Sequence, residues 1–328
     1  MGGDVFEVPL SVKKMKREKA YRENQLALIV AIICAFLNSG GGKLNVELES
    51  HSSSVGDGIL RMIEQRLVDI IGSCTLNAKV KILKKNTKQL VFTVDSSHTL
   101  CTVDYNLYLP TQSQVIPISP LEHPERVKVI LNREVRMQQQ FENHEYFVLN
   151  KQVPFQESDS NQFKHLKSEK SKCVSLADGM TNKSNKFDRY ISAFANKNGG
   201  QMFYGINDDG VVKGQHITEE CQVEIVGKVT KTINKIIWSK GELERGRHWD
   251  IQFTPVKDES QNEIPSLFVV IISVVPLRGG LFIQEPESYH VVQNRHERMS
   301  FTEWRRRFFA NEQSSVDMPV PIKRCWSY

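Results

Sequence analysis

The chain lacks paired cysteines. Its six (Cys34, Cys74, Cys101, Cys173, Cys221 and Cys325) are scattered with no C-x-x-C spacing, which favours reduced, buried thiols in a cytosolic or nuclear protein over a disulfide framework. Long apolar runs are missing too. None approaches the ~18–20 residues of a membrane span, and the longest, LALIVAIICAFL over 26–37, is expected to be a buried helix. No secretory signal opens the sequence, and Met1-Gly2-Gly3-Asp4-Val5-Phe6 lacks the Ser or Thr of a myristoylation site. A cytoplasmic location without a membrane partner is the expectation. Charge of one sign is also scarce: 43 Lys and Arg against 38 Asp and Glu leave a net +5, weak evidence for a polyanionic partner.

What the chain does have is a repeat. The segment ICAFLNSGGG at 33–42 returns as ISAFANKNGG at 191–200, with six of ten positions identical. Each copy ends an apolar helical pattern at Asn and Gly, where the chain can turn through left-handed dihedrals. Each then enters a strand-like run, Lys43–Leu48 or Gln201–Ile206. The interval is far too long for a solenoid, so two related lobes in one chain are expected. A length of 328 residues accommodates both.

Periodicity supplies the remaining elements. Lys13–Leu37 reads as one helix whose basic start opposes the macrodipole. Ile59–Ile71 has helical spacing, and Val80–Val94 and Leu100–Leu109 alternate like antiparallel strands. Pro110, Pro117, Pro120 and Pro124 break the next stretch, and Arg133–Asn143 reads as the connector between lobes. Phe163–Lys186, rich in Lys and Ser, reads as a mobile loop. Beyond it come helix Phe187–Asn196, strand Gln201–Asn207, the Asp208-Asp209-Gly210 turn and a helix starting near Thr218. Strands Trp249–Val256 and Ser266–Val275 and a last helix, Thr302–Ala310, complete the chain. The expected fold is α+β, with an N-lobe over 1–140 and a C-lobe over 141–328.

Basic residues cluster twice. Lys13, Lys14, Lys16, Arg17, Lys19 and Arg22 lie within about three helical turns of the first lobe. Lys164, Lys167, Lys170, Lys172, Lys183 and Lys186 crowd the loop of the second. Either cluster alone reads as a solvated face. On corresponding flanks of a duplicated fold, they point together to phosphate contacts, which are salt-sensitive and indifferent to sequence. Arg305-Arg306-Arg307 beside Trp304 reads as a helix C-terminus with its dipole complemented.

Several motifs carry a family resemblance. Arg22-Glu23-Asn24-Gln25 followed by Cys34-Ala35-Phe36-Leu37-Asn38-Ser39-Gly40-Gly41-Gly42 resembles the Schlafen signature C-A-L-L-N-S-G-G-G with its basic helix start. Asn106-Leu107-Tyr108 looks like that family's S-N-L-Y, and the segment from Val153 to Lys164 like its L-x-F-x-E-S-x-x-x-E-F-K. Tyr190–Asn196 resembles V-S-A-F-A-N, Gly205–Asp208 resembles G-V-x-D, and Pro286–Tyr289 through Trp304 resembles the P-x-S-W segment and its following helix. The similarity runs in order from about residue 20, and the chain looks like a short form without a helicase-like extension.

The resemblance implies a horseshoe of two lobes whose central basic valley binds structured RNA, tRNA above all, with growth-regulatory or antiviral consequences. In longer members three carboxylates hold a divalent cation and cut tRNA or rRNA. Matched residue by residue, the first acid is Glu157, the second falls on Gln162, and the third is Asp208. An amide in place of one acid removes a full charge from a site where hard-cation binding depends on charge count. Weak Mg²⁺ or Mn²⁺ binding at Glu157 and Asp208 is then the most the site is expected to offer, with cleavage absent or feeble. Glu169, nearby in sequence, is the one acid that could swing in. The family's structural zinc loses its ligands, because its Cys pair aligns with Arg278-Gly279 and its His and Cys with the neighbourhood of Lys240 and Glu242. His248, His290 and His296 are expected to be isolated surface or packing residues. Three functions therefore compete: a non-catalytic tRNA binder, a residual metal-dependent endoribonuclease, and a protein-interaction regulator of immune-cell proliferation.

Overall fold

The structure, a computed structural model, describes residues 4–49, 53–86, 88–111, 114–120, 124–133, 141, 143–166 and 175–310. Lys167, Lys170, Lys172 and Glu169, and most of the expected connector, lie outside these residues. The fold is α+β. In chain order it comprises β1 (Asp4–Leu10), α1 (Val12–Arg17), α2 (Lys19–Leu37), β2 (Gly42–Leu48), α3 (Ser53–Lys79), β3 (Val80–Asn86) and β4 (Gln89–Val94). There follow β5 (Tyr108–Pro110), β6 (Val115–Pro117), α4 (Pro124–Asn132), β7 (Phe147–Val148), β8 (Asn161–Lys164), α5 (Leu176–Thr181), α6 (Phe187–Ala195) and β9 (Gly200–Tyr204). The chain continues through β10 (Gln215–His216), α7 (Glu219–Ile233), β11 (Ile237–Trp238), β12 (Trp249–Lys257) and β13 (Glu263–Val274). It closes with β14 (Leu281–Phe282), β15 (Tyr289–Val292), β16 (Arg295–Arg298) and α8 (Phe301–Ala310).

Contacts divide the chain into two compact units, but not by a single cut at residue 140. Unit 1 takes 1–104, 119–121 and 286–328; unit 2 takes 105–118 and 122–285. The C-terminal hairpin β15–β16 and α8 thus belong with the N-terminal sheet. Trp304 explains part of this: it is fully buried, and its indole N–H donates to Thr102 Oγ1 at 3.0 Å.

Unit 1 is built on a sheet of order β1-β2-β4-β3, with β1 parallel to β2 and the other pairings antiparallel. Leu44, Val46 and Leu48 alternate with Leu90, Phe92 and Val94 onto one face, where they meet Ile29, Val30, Ile33 and Phe36 of α2. By length and composition α2 could cross a membrane, yet its apolar residues are buried in this core, so it reads as a core helix. Lys13–Leu37 is not one helix. Glu18 is extended (φ −110°, ψ 103°) and separates α1 from α2. The break places Lys14, Lys16 and Arg17 in the last turn of α1, where the dipole favours cations. The penalty expected for a long helix with a basic start is thereby removed for these three, while Lys19 still opens α2.

Unit 2 repeats the plan. Its sheet runs β7-β12-β13-β9-β8, with β8 parallel to β9 and β9, β13 and β12 antiparallel in turn. Strands β8, β9, β13 and β12 thus match β1, β2, β4 and β3 in order and direction. Here both faces are covered. Met202, Tyr204, Val270 and Ile272 pack with α6 and α7, while Phe203, Val269 and Ile271 pack with Phe147, Val153 and Phe163 on the other side.

The sequence repeat marks the same device in each unit. Asn38 caps α2, and Asn196 caps α6. The Asn38 carboxamide donates to Cys101 O (2.9 Å) and accepts from Cys101 N (2.7 Å). The Asn196 carboxamide donates to Leu281 O (3.0 Å) and accepts from Leu281 N (2.8 Å). Cys34 and Ser192, four residues earlier, donate to those same two carbonyls. Gly41 and Gly199 then turn at φ 82° and 80°, so close to the neighbouring strand that a Cβ would lie 2.6 Å from Val94 O or 2.7 Å from Val274 O. Both glycines are therefore required by conformation and by space.

Some local expectations change. Of Leu100–Leu109, expected as a strand, only Tyr108 and Leu109 fall in one, because Asn106 adopts a left-handed φ of 54° while its carboxamide donates to Glu285 O. The described parts of Phe163–Lys186 are not a loop throughout. They contain the end of β8, helix α5 capped by Ser175, and a 3-10 turn at Lys183–Asn185.

Candidate functional site

The site residues of unit 2 are set by one tight turn. Ser158 Oγ accepts from the backbone N–H groups of Ser160 (3.2 Å) and Asn161 (3.1 Å), folding the chain back before β8. The fold-back lets Glu157 Oε1 accept from Phe163 N at 2.9 Å, so the carboxylate is held at the flank of β8. Asp208 is exposed in the turn after β9, which Asn207 closes through Val211 N (2.7 Å). Parallel pairing of β8 with β9 brings these two acids to one neighbourhood.

Lys164 joins them. It is half-buried and lies over the Tyr190 ring, 5.2 Å from its centroid. Burial lowers its pKa from the usual lysine range, Glu157 and Asp208 oppose that shift, and Lys186 adds to it. Burial, reinforced by Glu157, raises the Tyr190 phenol above its ordinary value. The set is two carboxylates, two ammonium groups and a phenol. Lys183 is exposed nearby in the chain, and Lys186 is half-buried in a left-handed conformation (φ 53°).

Gln162 departs from the other site residues. It is 1% exposed; its Nε2 donates to Ser158 O and Asn161 O, and its Oε1 is buried without a partner. The donor set fits a carboxylate-bound divalent cation poorly. One Glu157 oxygen is engaged by the backbone, the middle position is a neutral amide, and an ammonium already lies beside the two acids. No cluster of three His, Cys, Asp or Glu side chains occurs among the described residues.

Where the aligned zinc ligands would lie, the chain is closed by hydrogen bonds instead. Trp238 Nε1 donates to Arg278 O (2.8 Å), Ser239 Oγ to Gly279 O (3.0 Å) and Ser239 N to Gly280 O (3.2 Å). Gly279 (φ 76°) has no room for a side chain, since a Cβ would lie 2.4 Å from Ser239 Oγ. His248 is buried against Trp238, His290 lies beside Arg307, and His296 packs on Phe6 and Tyr289.

The basic cluster of unit 1 is displayed on the surface. Lys13, Lys14, Lys16, Arg17 and Lys19 are exposed, whereas Arg22 is half-buried and donates to Met15 O at 3.2 Å. Lys14 lies over Tyr21 at 5.6 Å, and Lys13, Lys16, Arg17 and Lys19 form no ion pair among the described residues. By contrast Arg306 and Arg307 are paired with Glu303, whose carboxyl their hydrogen bonds pull down to about 2. Sequence reasoning missed Tyr190 as part of the site. No motif signals that its ring would support Lys164.

Fold and site together define a duplicated α+β protein whose second copy carries an acid–lysine site beside a parallel strand pair. A family model described as Schlafen, AlbA_2 matches residues 157–298, a span that begins at Glu157 and includes Gln162, Lys164 and Asp208. The match supports a Schlafen-family assignment for this part of the chain and suggests a nucleic-acid-related function.

Proposed function

We propose that the chain binds structured RNA, tRNA foremost, and cleaves it feebly or not at all. The carrying observation is the exposed cation cluster at Lys13, Lys16, Arg17 and Lys19, which has no ion-pair partner among the described residues. Cations without intramolecular partners are free to displace counterions from phosphates, which makes binding salt-dependent and largely independent of sequence. The horseshoe with a basic valley, the cytoplasmic location and a growth-regulatory or antiviral role belong to this proposal on the strength of the resemblance. Titrating labelled tRNA on filters at two salt concentrations tests it. Affinity is expected to fall steeply with salt and to drop at least ten-fold when Lys13, Lys14 and Lys16 become Glu; salt-insensitive binding, or none, would refute it.

A second reading, a residual metal-dependent endoribonuclease, is favoured by the convergence of Glu157, Asp208 and Lys164. The neutral, buried Gln162 weighs against it. Incubating labelled tRNA with Mn²⁺ and comparing the chain with Asp208→Ala separates the two: equal background in both supports the binder, while cleavage lost in the variant supports the enzyme.

A further inference from the structure

Unit 2 contains a cavity of about 230 Å³ at the start of β8 and β9. It is lined by Asn161, Asn198, Gln201, Ser273, the Gly199–Gly200 turn and Phe141. Its volume lies below the ~300–1,000 Å³ typical of sites for drug-sized ligands, so it suits a single ring system. Among the described residues no charged side chain lines it, although Lys197, paired with Asp159 at 2.6 Å, adjoins Asn198 in the chain. Gln201 is 7% exposed and is fixed by donating to Ser273 Oγ at 3.0 Å. The carboxamides of Asn161 and Asn198 are tied to no other described residue.

The duplication gives an internal control. Superposing the repeat places Gly40 at Asn198 and Lys43 at Gln201, and the strand registers place Val5 at Asn161. Three amides of unit 2 therefore stand where unit 1 has a glycine, a lysine and a valine. The shared turn needs the glycines, but nothing in its geometry needs the amides. Carboxamides offer a donor and an acceptor in one plane, matching the edge of a nucleobase, and an aromatic ring offers a stacking surface.

We propose that this cavity takes one unpaired nucleobase of a bound RNA, held between Phe141 and the amides of Asn161, Asn198 and Gln201. The proposal rests on the RNA-binding reading and adds a preference for a single-stranded element beside a duplex. Two labelled RNA hairpins test it, with identical stems but one blunt and one carrying an unpaired 3′ overhang. The wild-type chain is expected to bind the overhang hairpin at least about five-fold tighter, a modest share of what base stacking supplies. The double variant Phe141→Ala, Asn198→Ala is expected to bind both hairpins equally at the wild-type blunt affinity, which also shows that it folds. Equal wild-type binding of the two hairpins, or an undiminished preference in the variant, overturns the pocket and leaves RNA binding intact. Failure of wild type to bind either hairpin overturns both.

Discussion

Unit 1 and unit 2 share a strand order, an asparagine clamp and a glycine turn, yet they differ in how their sheets are covered. In unit 1 the described face opposite the core presents Lys43, Glu47 and Leu83 as exposed residues, and Val5 is 48% exposed. In unit 2 the matching face is covered by Phe147, Val153 and Phe155, contributed by the segment leading into β8. That segment also carries the turn that presents Glu157. Covering the second face and building the site are thus one structural event in unit 2. A duplicated scaffold can therefore keep its folding devices while specialising one copy through an added segment.

The clamps offer the largest test of this likeness. Asn196 is 4% exposed, whereas Asn38 is half-buried and its partner carbonyl on Cys101 also accepts from Ser288 Oγ at 2.7 Å. Asn196→Ala leaves the buried N–H of Leu281 without its acceptor, while Ser192 keeps its bond to the carbonyl, and the change is expected to cost about 2–3 kcal/mol in chemical denaturation. Asn38→Ala is expected to cost less, roughly 1–2 kcal/mol, because water and Ser288 replace part of what is lost. Equal losses would show that burial does not separate the two clamps.

A smaller contrast concerns two histidines whose pKa burial lowers, His248 in unit 2 and His296 in unit 1. A folded pKa below the ordinary value near 6.5 means that the unfolded chain binds the proton first. The stabilising effect is therefore complete above that value and is lost as pH falls through the folded pKa. His248 is 2% exposed and accepts from Glu244 N through Nδ1 at 2.9 Å, so it must carry its proton on Nε2 while neutral. Asn offers an acceptor in a similar place without titrating. His248→Asn is expected to flatten the acid limb of a melting-temperature–pH profile more than His296→Asn does, and the reverse order would break the argument.

Much of the fold was legible in the sequence because its repeat is a set of steric requirements. Asn38 and Asn196 must cap helices and clamp a passing strand, and Gly41 and Gly199 must turn where no Cβ fits. The end-on apolar runs of α2 and α6 were likewise readable from helical periodicity. Strand β1 was not. Its pattern is short and half exposed, and what stabilises it, parallel pairing with β2 and burial of Val8 and Leu10 in the core, comes from segments distant in sequence. The break at Glu18 was hidden for a related reason: the helical pattern continues across it, and the break is visible only in the backbone. At the site, Glu157, Gln162 and Asp208 could be found by motif. Lys164 could be named only as one lysine of a cluster, because its partners arrive from β9, α6 and the turn before β8.

The sequence alone determined the duplication, the α+β class and the positions of the clamps, since those depend on residue identity and neighbours close along the chain. The tertiary structure decided which lysines are free and which is desolvated between acids, and which amides border a cavity. Those properties depend on distances between segments far apart in sequence, which local pattern does not encode.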